Sequence, residues 1–522
     1  MVRGFDDASR GAVTSETAVP VANRGASTVS IMLATFMQGV DTTIANVALP
    51  HMQGSFSAAQ DQIAWVVTSY IVAAAIMTPL TGWLAGRLGI KYVFFFSVAG
   101  FTLASALCGV ATSLTQMVIY RLLQGVCGAA LVPLSQSVLL QINPPQHHAK
   151  AMSVWGMGVI LGPIIGPALG GWLTDQYNWR WVFFINVPFG LLGAAGILIF
   201  IRDTRRAHRE AFDFFGFATL SLAIGALQMF LDRGELKDWF GSTEIWVEAT
   251  IAGLAFYLFV VHTATATERS FLNRDLLRDV NCAVGTILMF LVAIPLFGTM
   301  VLLPTMLQDL LSYPVLTTGL VLVPRGLGTM AAMFVVARLI GRIDTRVLIL
   351  TGLMLTSVAL WQMTGFSLLM GMGPVISTGV LQGFGLGLVF TPLSIVTFST
   401  LPRQILTQGT AIFSLTRNIG SSVGIAIVEA LLVENTQIVH SRLVEQLRPD
   451  NPLARLPHMT APFSLTEPSG IAALNAEATR QAAMVAYIDN FKLMMVIVIV
   501  GLPLLLLLRR PLPTPGVTVA AE

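Results

Sequence analysis

LQGVCGAALVP, residues 123–133, returns as LQGFGLGLVFTP, residues 381–392, with one residue inserted. Other pairs lie at nearly the same offset of about 254–258 residues. ALPHM (48–52) matches LLPTM (302–306), LAGRLGIK (84–91) matches LIGRIDTR (339–346), and Gly162 and Gly166 match Gly420 and Gly424. One such match is ordinary in apolar sequence. Four in the same order mark a duplicated unit, the internal similarity of transporter halves.

The duplicated unit is a set of membrane spans. The chain has 522 residues, 55% hydrophobic and 11% charged, where a soluble domain carries about 25% charged residues. Blocks such as VVTSYIVAAAIMTPLTGWLA and FKLMMVIVIVGLPLLLLL are long enough for a helix to cross a hydrocarbon core of about 30 Å. Fourteen spans are expected, near 27–49, 63–84, 91–111, 115–140, 151–173 and 181–201, then 213–231 and 245–264, then 282–306, 316–338, 346–364, 371–399, 408–433 and 486–508. The expected fold class is an all-α integral membrane protein of two six-helix bundles plus two inserted helices. Its parts are an N-terminal tail (1–26), a first bundle (27–201), the inserted pair with its loops (202–281), a second bundle (282–508) with a polar outer loop at 434–485, and a C-terminal tail (509–522). Eight spans separate equivalent helices, an even number, so the halves run parallel and a substrate path is expected between them near mid-membrane.

Basic residues orient the chain. Arg87, Lys91, Lys150, the RDTRRAHRE run at 202–210, Arg269, Arg274, Arg278, Arg338, Arg342, Arg346, Arg403, Arg509 and Arg510 fall on one side. Little beyond Arg180, Arg233 and Lys237 falls in the short loops of the other. Both termini are expected in the cytoplasm. The three cysteines sit inside apolar blocks, so no disulfide framework is expected. A net charge of +3 with no basic patch points to no nucleic acid.

What differs between the halves carries the chemistry. Asp41 lies deep in the first span, where an ionised carboxylate costs about 2.5–3.5 kcal/mol on the mildest scale. A buried carboxyl that exchanges a proton near neutral pH meets the requirement for proton coupling. Arg121, in the fourth span, is its expected partner, directly or through water; the repeat has Gly379 there. Gln38 lies one turn before Asp41, and Gln124 one turn after Arg121. Gln38, Gln124, Arg325, Gln382 and Arg417 are candidates for the substrate path; Arg325 and Arg417 would either bind an acidic substrate or pair with carboxylates. GVILGPIIGPALGG (158–171) places Gly158, Gly162, Gly166 and Gly170 on one helical stripe, followed by Gly171, with Pro163 and Pro167 between them. The stripe allows close helix approach and the prolines bend the helix, suiting a seam that slides or rocks. In the loop motif GWLAGRLGIK (82–91), which includes Gly82 and Gly89, Arg87 and Lys91 are expected to cap helix ends, pair with carboxylates or anchor the inner face. His147 and His148 read as solvated loop residues, and no metal site is expected.

These segments resemble the major facilitator superfamily, and more closely its fourteen-span drug:proton antiporters of the EmrB/QacA type. VDTTIANVALP resembles that group's first-helix motif, RLLQGVCGAALVPLS its fourth and GVILGPIIGPALGG its fifth, the antiporter motif. WRWVFFINVPFG (179–190) and LLPTMLQDLLSYPVLTTGLVLVPRGLG (302–328) are also similar to EmrB-type sequence. The resemblance implies export of hydrophobic or amphipathic compounds in exchange for protons, with Asp41 as the acid and Arg121 as the fourth-helix arginine. It also implies a bacterial inner membrane and, in Gram-negative bacteria, a periplasmic adaptor and an outer-membrane channel. The superfamily's aspartate before the loop arginine is replaced here by Gly86.

The leading expectation is a proton-driven multidrug exporter that needs no cofactor. The alternative is a proton-coupled nutrient or siderophore symporter on the same fold. No HExxH, Ser-Lys pair or nucleotide-binding loop appears, so neither an enzyme nor ATP as the energy source is expected.

Overall fold

The computed structural model describes residues 23–144, 147–202, 212–265, 273–446 and 467–509. The apolar blocks form helices, which satisfy every backbone group internally as lipid requires. The first group is α1 (Arg24–Phe56), α2 (Trp65–Met77), α3 (Leu80–Leu88), α4 (Ile90–Val110), α5 (Leu114–Gly128), α6 (Leu131–Ile142), α7 (His148–Gln176) and α8 (Asn186–Phe200). Then come α9 (Phe214–Arg233) and α10 (Thr243–Thr265). The last group is α11 (Val280–Thr305), α12 (Val315–Leu339), α13 (Thr345–Met363), α14 (Met372–Phe398), α15 (Arg403–Glu445) and α16 (Pro468–Gly501). The pair α2 and α3 bends by 57° at Thr78–Pro79. The line of α5 and α6 breaks at Ala129–Ala130, just before Pro133, which has no N–H to offer the Ala129 carbonyl.

Eleven described helices are long and apolar enough to cross a membrane, and the bent pair makes twelve. The other two expected spans correspond to α1 and α7, of 33 and 29 residues. α1 falls outside the apolar set because Gln38, Asp41, Thr42, Thr43 and Asn46 interrupt it; some side chains of α7 lie outside the described residues. The 434–485 segment also differs from a plain polar loop. α15 is 43 residues long and α16 is 34, about 64 Å and 51 Å of helix, so both continue past a 30 Å core.

α1 packs on α7 and α8, α5 on α2 and α4, and in the second group α14 packs on α12 and α13 and α11 on α15. The duplication is visible in these seams. Methyl groups on Gly162 and Gly166 would strike Gly39, Val40 and Thr43 of α1. Methyls on Gly420 and Gly424 would strike Phe290, Ala293 and Ile294 of α11. The residue after Val40 is Asp41, and the residue after Ile294 is Pro295.

The two bundles meet at the end bearing the 82–91 turn. Ser137 and Thr407 share a 2.8 Å hydrogen bond, and the Trp155 and Phe390 rings stack at 5.9 Å. Methyls on Gly82 and Gly156 would lie 2.6 Å from Gln408 Cγ and 2.7 Å from Met333 Cε. α9 lies along the seam, against α2 on one side and α15 on the other. Asp232 accepts from Thr68 of the first bundle, and Gln228 donates to Ser422 of the second at 2.8 Å.

Candidate functional site

Asp41, on α1, is 0% exposed, and Arg121, on α5, is 1% exposed. Arg121 Nη1 donates to Asp41 Oδ2 at 2.8 Å and to Gln124 Oε1 at 2.8 Å. Asp41 Oδ1 accepts from Gln124 Nε2 and Asn186 Nδ2, both at 2.9 Å. Asn186 Nδ2 also reaches Ser105 Oγ at 3.0 Å, and Ser105 donates to the Phe183 carbonyl at 2.9 Å. Arg121 Nε donates to the Val66 carbonyl at 3.1 Å, and its guanidinium lies 4.5 Å from the Tyr70 ring centroid. The carboxylate therefore has three side-chain donors from two helices besides its own, and the pairing with Arg121 is direct.

Each partner is placed by local structure. Arg121 and Gln124 are three apart on α5 and so share a face. Gly125 lets that face approach α2, since a methyl there would lie 2.4 Å from the Tyr70 carbonyl oxygen. Asn186 opens α8 just after the short helix Trp181–Phe184, so its amide enters beside Asp41. Sequence reasoning missed Asn186 and Ser105. A buried asparagine in INVPFG was the available signal, because a polar side chain inside an apolar block needs a partner. Gln38 does not join the network. Its Oε1 is buried near the Tyr70 hydroxyl, and neither atom closes a hydrogen bond of ordinary geometry.

The glycine stripe lies on α1, within the first bundle, rather than between the bundles. Methyls on Gly158, Gly162, Gly166 and Gly170 would meet Met32, Gly39, Thr43 and Ile44 in turn at 2.0–2.7 Å. Gly171 meets nothing within 4 Å and is not part of the seam. The side chains of Pro163 and Pro167 lie outside the described residues.

Other expected contacts are absent or different. Among the described residues neither Arg87 nor Lys91 forms an ion pair; Arg87 lies 5.2 Å from the Trp83 ring centroid. With Gly86 where the resemblance puts an aspartate, the 82–91 turn itself supplies no carboxylate for such a latch. The two repeat turns also differ: the first turns at Gly89 (φ 89°), the second at Gly341 (φ 91°), which aligns with Gly86. Arg325 Nη2 donates to the Leu296 carbonyl at 3.0 Å, and Arg417 Nη2 reaches only Asn418 Oδ1 at 3.3 Å. Gln382 is buried and donates to Thr299 Oγ1 at 3.2 Å. His148 is not simply solvated; its Nε2 bonds the Leu140 and Asn143 carbonyls at the end of α6.

Residues 31–425 match the family model of the Major Facilitator Superfamily. The chain belongs to the major facilitator superfamily. This superfamily member is 36% identical over 433 residues to "Multidrug export protein EmrB" of Escherichia coli (strain K12), spanning 82% of this chain and 84% of that one. It is 33% identical over 498 residues to "Fatty acid resistance protein FarB" of Neisseria gonorrhoeae, spanning 94% and 97%. The crystal structure of the human organic anion transporter MFSD10 (TETRAN) shares its fold, with a TM-score of 0.58 at 15% identity over 91% of this chain and 99% of that one. The superfamily member is a multi-pass membrane transporter and not an enzyme.

Proposed function

We propose that the protein exports hydrophobic or amphipathic compounds in exchange for protons, by alternating access between its two bundles. The observation that carries this reading is the buried Asp41 carboxylate, held by Arg121, Gln124 and Asn186. Protonation removes the charge those donors hold. The Arg121 bond then weakens, and α1 is free to shift against α5 and α8. α1 is joined to α7 through backbone-to-backbone contact at Gly162, one residue from Asp41. About two turns earlier, α7 carries Trp155 and Gly156, which meet the second bundle at Phe390 and Met333. A change at the carboxylate thus has a packed route to the inter-bundle seam. Substrate shifts the two states only through differential affinity, so it must favour the deprotonated form for exchange.

The bundles are in contact at the end bearing the 82–91 turn, which the basic residues put on the cytoplasmic side. With α1 and α7 counted, fourteen helices cross the inner membrane. The projecting ends of α15 and α16 are then on the outer side, where a periplasmic adaptor leading to an outer-membrane channel would meet them. The test is efflux in energised vesicles. Asp41→Asn should remain folded and lose proton-driven efflux; efflux at the wild-type rate would remove Asp41 from the mechanism.

A further inference from the structure

Two buried oxygens beside the Asp41–Arg121 pair have no donor. Gln38 Oε1, on α1, and Tyr70 Oη, on α2, lie close to each other, and among the described residues neither has a hydrogen-bond partner. Tyr70 is 4% exposed, so its hydroxyl is withdrawn from solvent, an unfavourable state for a polar group. Its ring lies 4.5 Å from the Arg121 guanidinium. Gln38 is one turn before Asp41 on α1, on the same face. Gly128 is one turn past Gln124 on α5, and a methyl on it would lie 3.2 Å from Tyr70 Oη. On both helices the two oxygens therefore stand one turn, about 5 Å, from the carboxylate network, toward the end bearing the 82–91 turn.

Protonation of Asp41 takes from Arg121 the carboxylate it is paired with. The groups packed around the pair supply no other anion. The Tyr70 phenol comes from α2, the Cys108 thiol, 3.8 Å from Gln124 Oε1, from α4, and the neutral Asn186 amide from α8. α6 carries no charged residue, and His148, Lys150 and Asp175 of α7 stand near its two ends. A guanidinium keeps its charge when buried, and its donors then need neutral acceptors. The Val66 carbonyl and Gln124 Oε1 already serve. Gln38 Oε1 and Tyr70 Oη are the nearby acceptors not in use.

We propose that Gln38 and Tyr70 are positioning residues for proton exchange, whose oxygens receive the Arg121 guanidinium when Asp41 is protonated. The guanidinium then moves about one helical turn along α1, and its return to Asp41 favours the ionised carboxylate and release of the proton. Gln38 so acts on the proton rather than on the substrate. The proposal rests on the exporter reading and names the residues that tune its proton site.

The test uses the full-length transporter in nanodiscs without substrate. Infrared difference spectra across a pH series follow the carboxyl C=O band of Asp41, assigned by its loss in Asp41→Asn. Gln38→Met removes the acceptor, keeps the bulk and weakens only the protonated state. It should move the midpoint of the band to lower pH by about one unit or more. Tyr70→Phe keeps the ring under Arg121 and drops the hydroxyl. It should move the midpoint the same way, and it decides the matter if Gln38→Met is not monodisperse. Well above the midpoint both variants should unfold at the wild-type denaturant concentration, because neither oxygen has a partner to lose there. An unmoved midpoint in a folded variant, a shift to higher pH, or no Asp41 band in wild type overturns the proposal; lost stability with an unmoved midpoint overturns it in favour of a packing role. Dye efflux from proteoliposomes is measured alongside. Efflux with an unmoved midpoint sinks this inference alone, whereas a moved midpoint with no efflux by wild type sinks the exporter reading alone.

Discussion

Gly162→Ala adds one methyl group at the contact nearest the buried carboxylate. That methyl would lie 2.5 Å from Gly39 C and 2.7 Å from both Gly39 Cα and Val40 N. All three are backbone atoms, so no rotamer change relieves them. Ordinary contact begins near 3.4 Å, so α1 and α7 must part by about 0.9 Å (3.4 minus 2.5). Overpacking of this kind costs about 1–3 kcal/mol. The shift also carries Asp41, one residue beyond Val40, away from donors now at 2.8–2.9 Å. Gly171→Ala is the control, because its methyl meets nothing within 4 Å and should stay within about 0.5 kcal/mol of wild type. The assay is denaturant unfolding of the detergent-purified protein, with dye efflux from vesicles in parallel. Gly162→Ala should lower both stability and efflux, and Gly171→Ala neither. Equal stability and equal efflux in the two variants would refute the seam as a rigid link between Asp41 and the second bundle.

Arg121→Ala leaves a buried carboxylate without its cation and should destabilise the fold by about 3–5 kcal/mol by unfolding measurements; Asp41→Leu combined with Arg121→Leu should recover much of that loss while remaining inactive. Asn186→Ala removes one of three donors to a charged group and should cost about 1.5–3 kcal/mol, read the same way. Ser137→Cys with Thr407→Cys should form a disulfide under oxidation, because the wild-type hydroxyls are 2.8 Å apart, and should stop efflux until reductant is added. Efflux that continues in the cross-linked protein would show that this end need not open.

The broad architecture was legible because a lipid core demands long apolar blocks, which leave a plain mark in a chain. Asp41 and Arg121 were legible for the related reason that a charge in such a block stands out and calls for a partner. Asn186 and Ser105 were not, since small polar residues are common in spanning helices and their role depends on which way a broken helix turns. The short helix before α8 settles that direction, and nothing in INVPFG states it alone. The partner of the glycine stripe was equally hidden. Four glycines at one spacing announce close approach but do not say to what, and the helix they meet is α1 rather than the second bundle. The aligned GR turns misled because one helix runs through Gly86 to Leu88, while its repeat stops at Leu339. The helical continuation of α15 and α16 into the 434–485 segment was masked by its polarity, which suits a helix standing in water as well as it suits a loop.

The most direct measurement is proton release on substrate binding, followed with a pH-sensitive dye in weakly buffered solution. Wild-type protein should release a proton when an exported compound is added, and Asp41→Asn should bind the compound with no release. Equal release from the two proteins would contradict the assignment of the exchanged proton to Asp41.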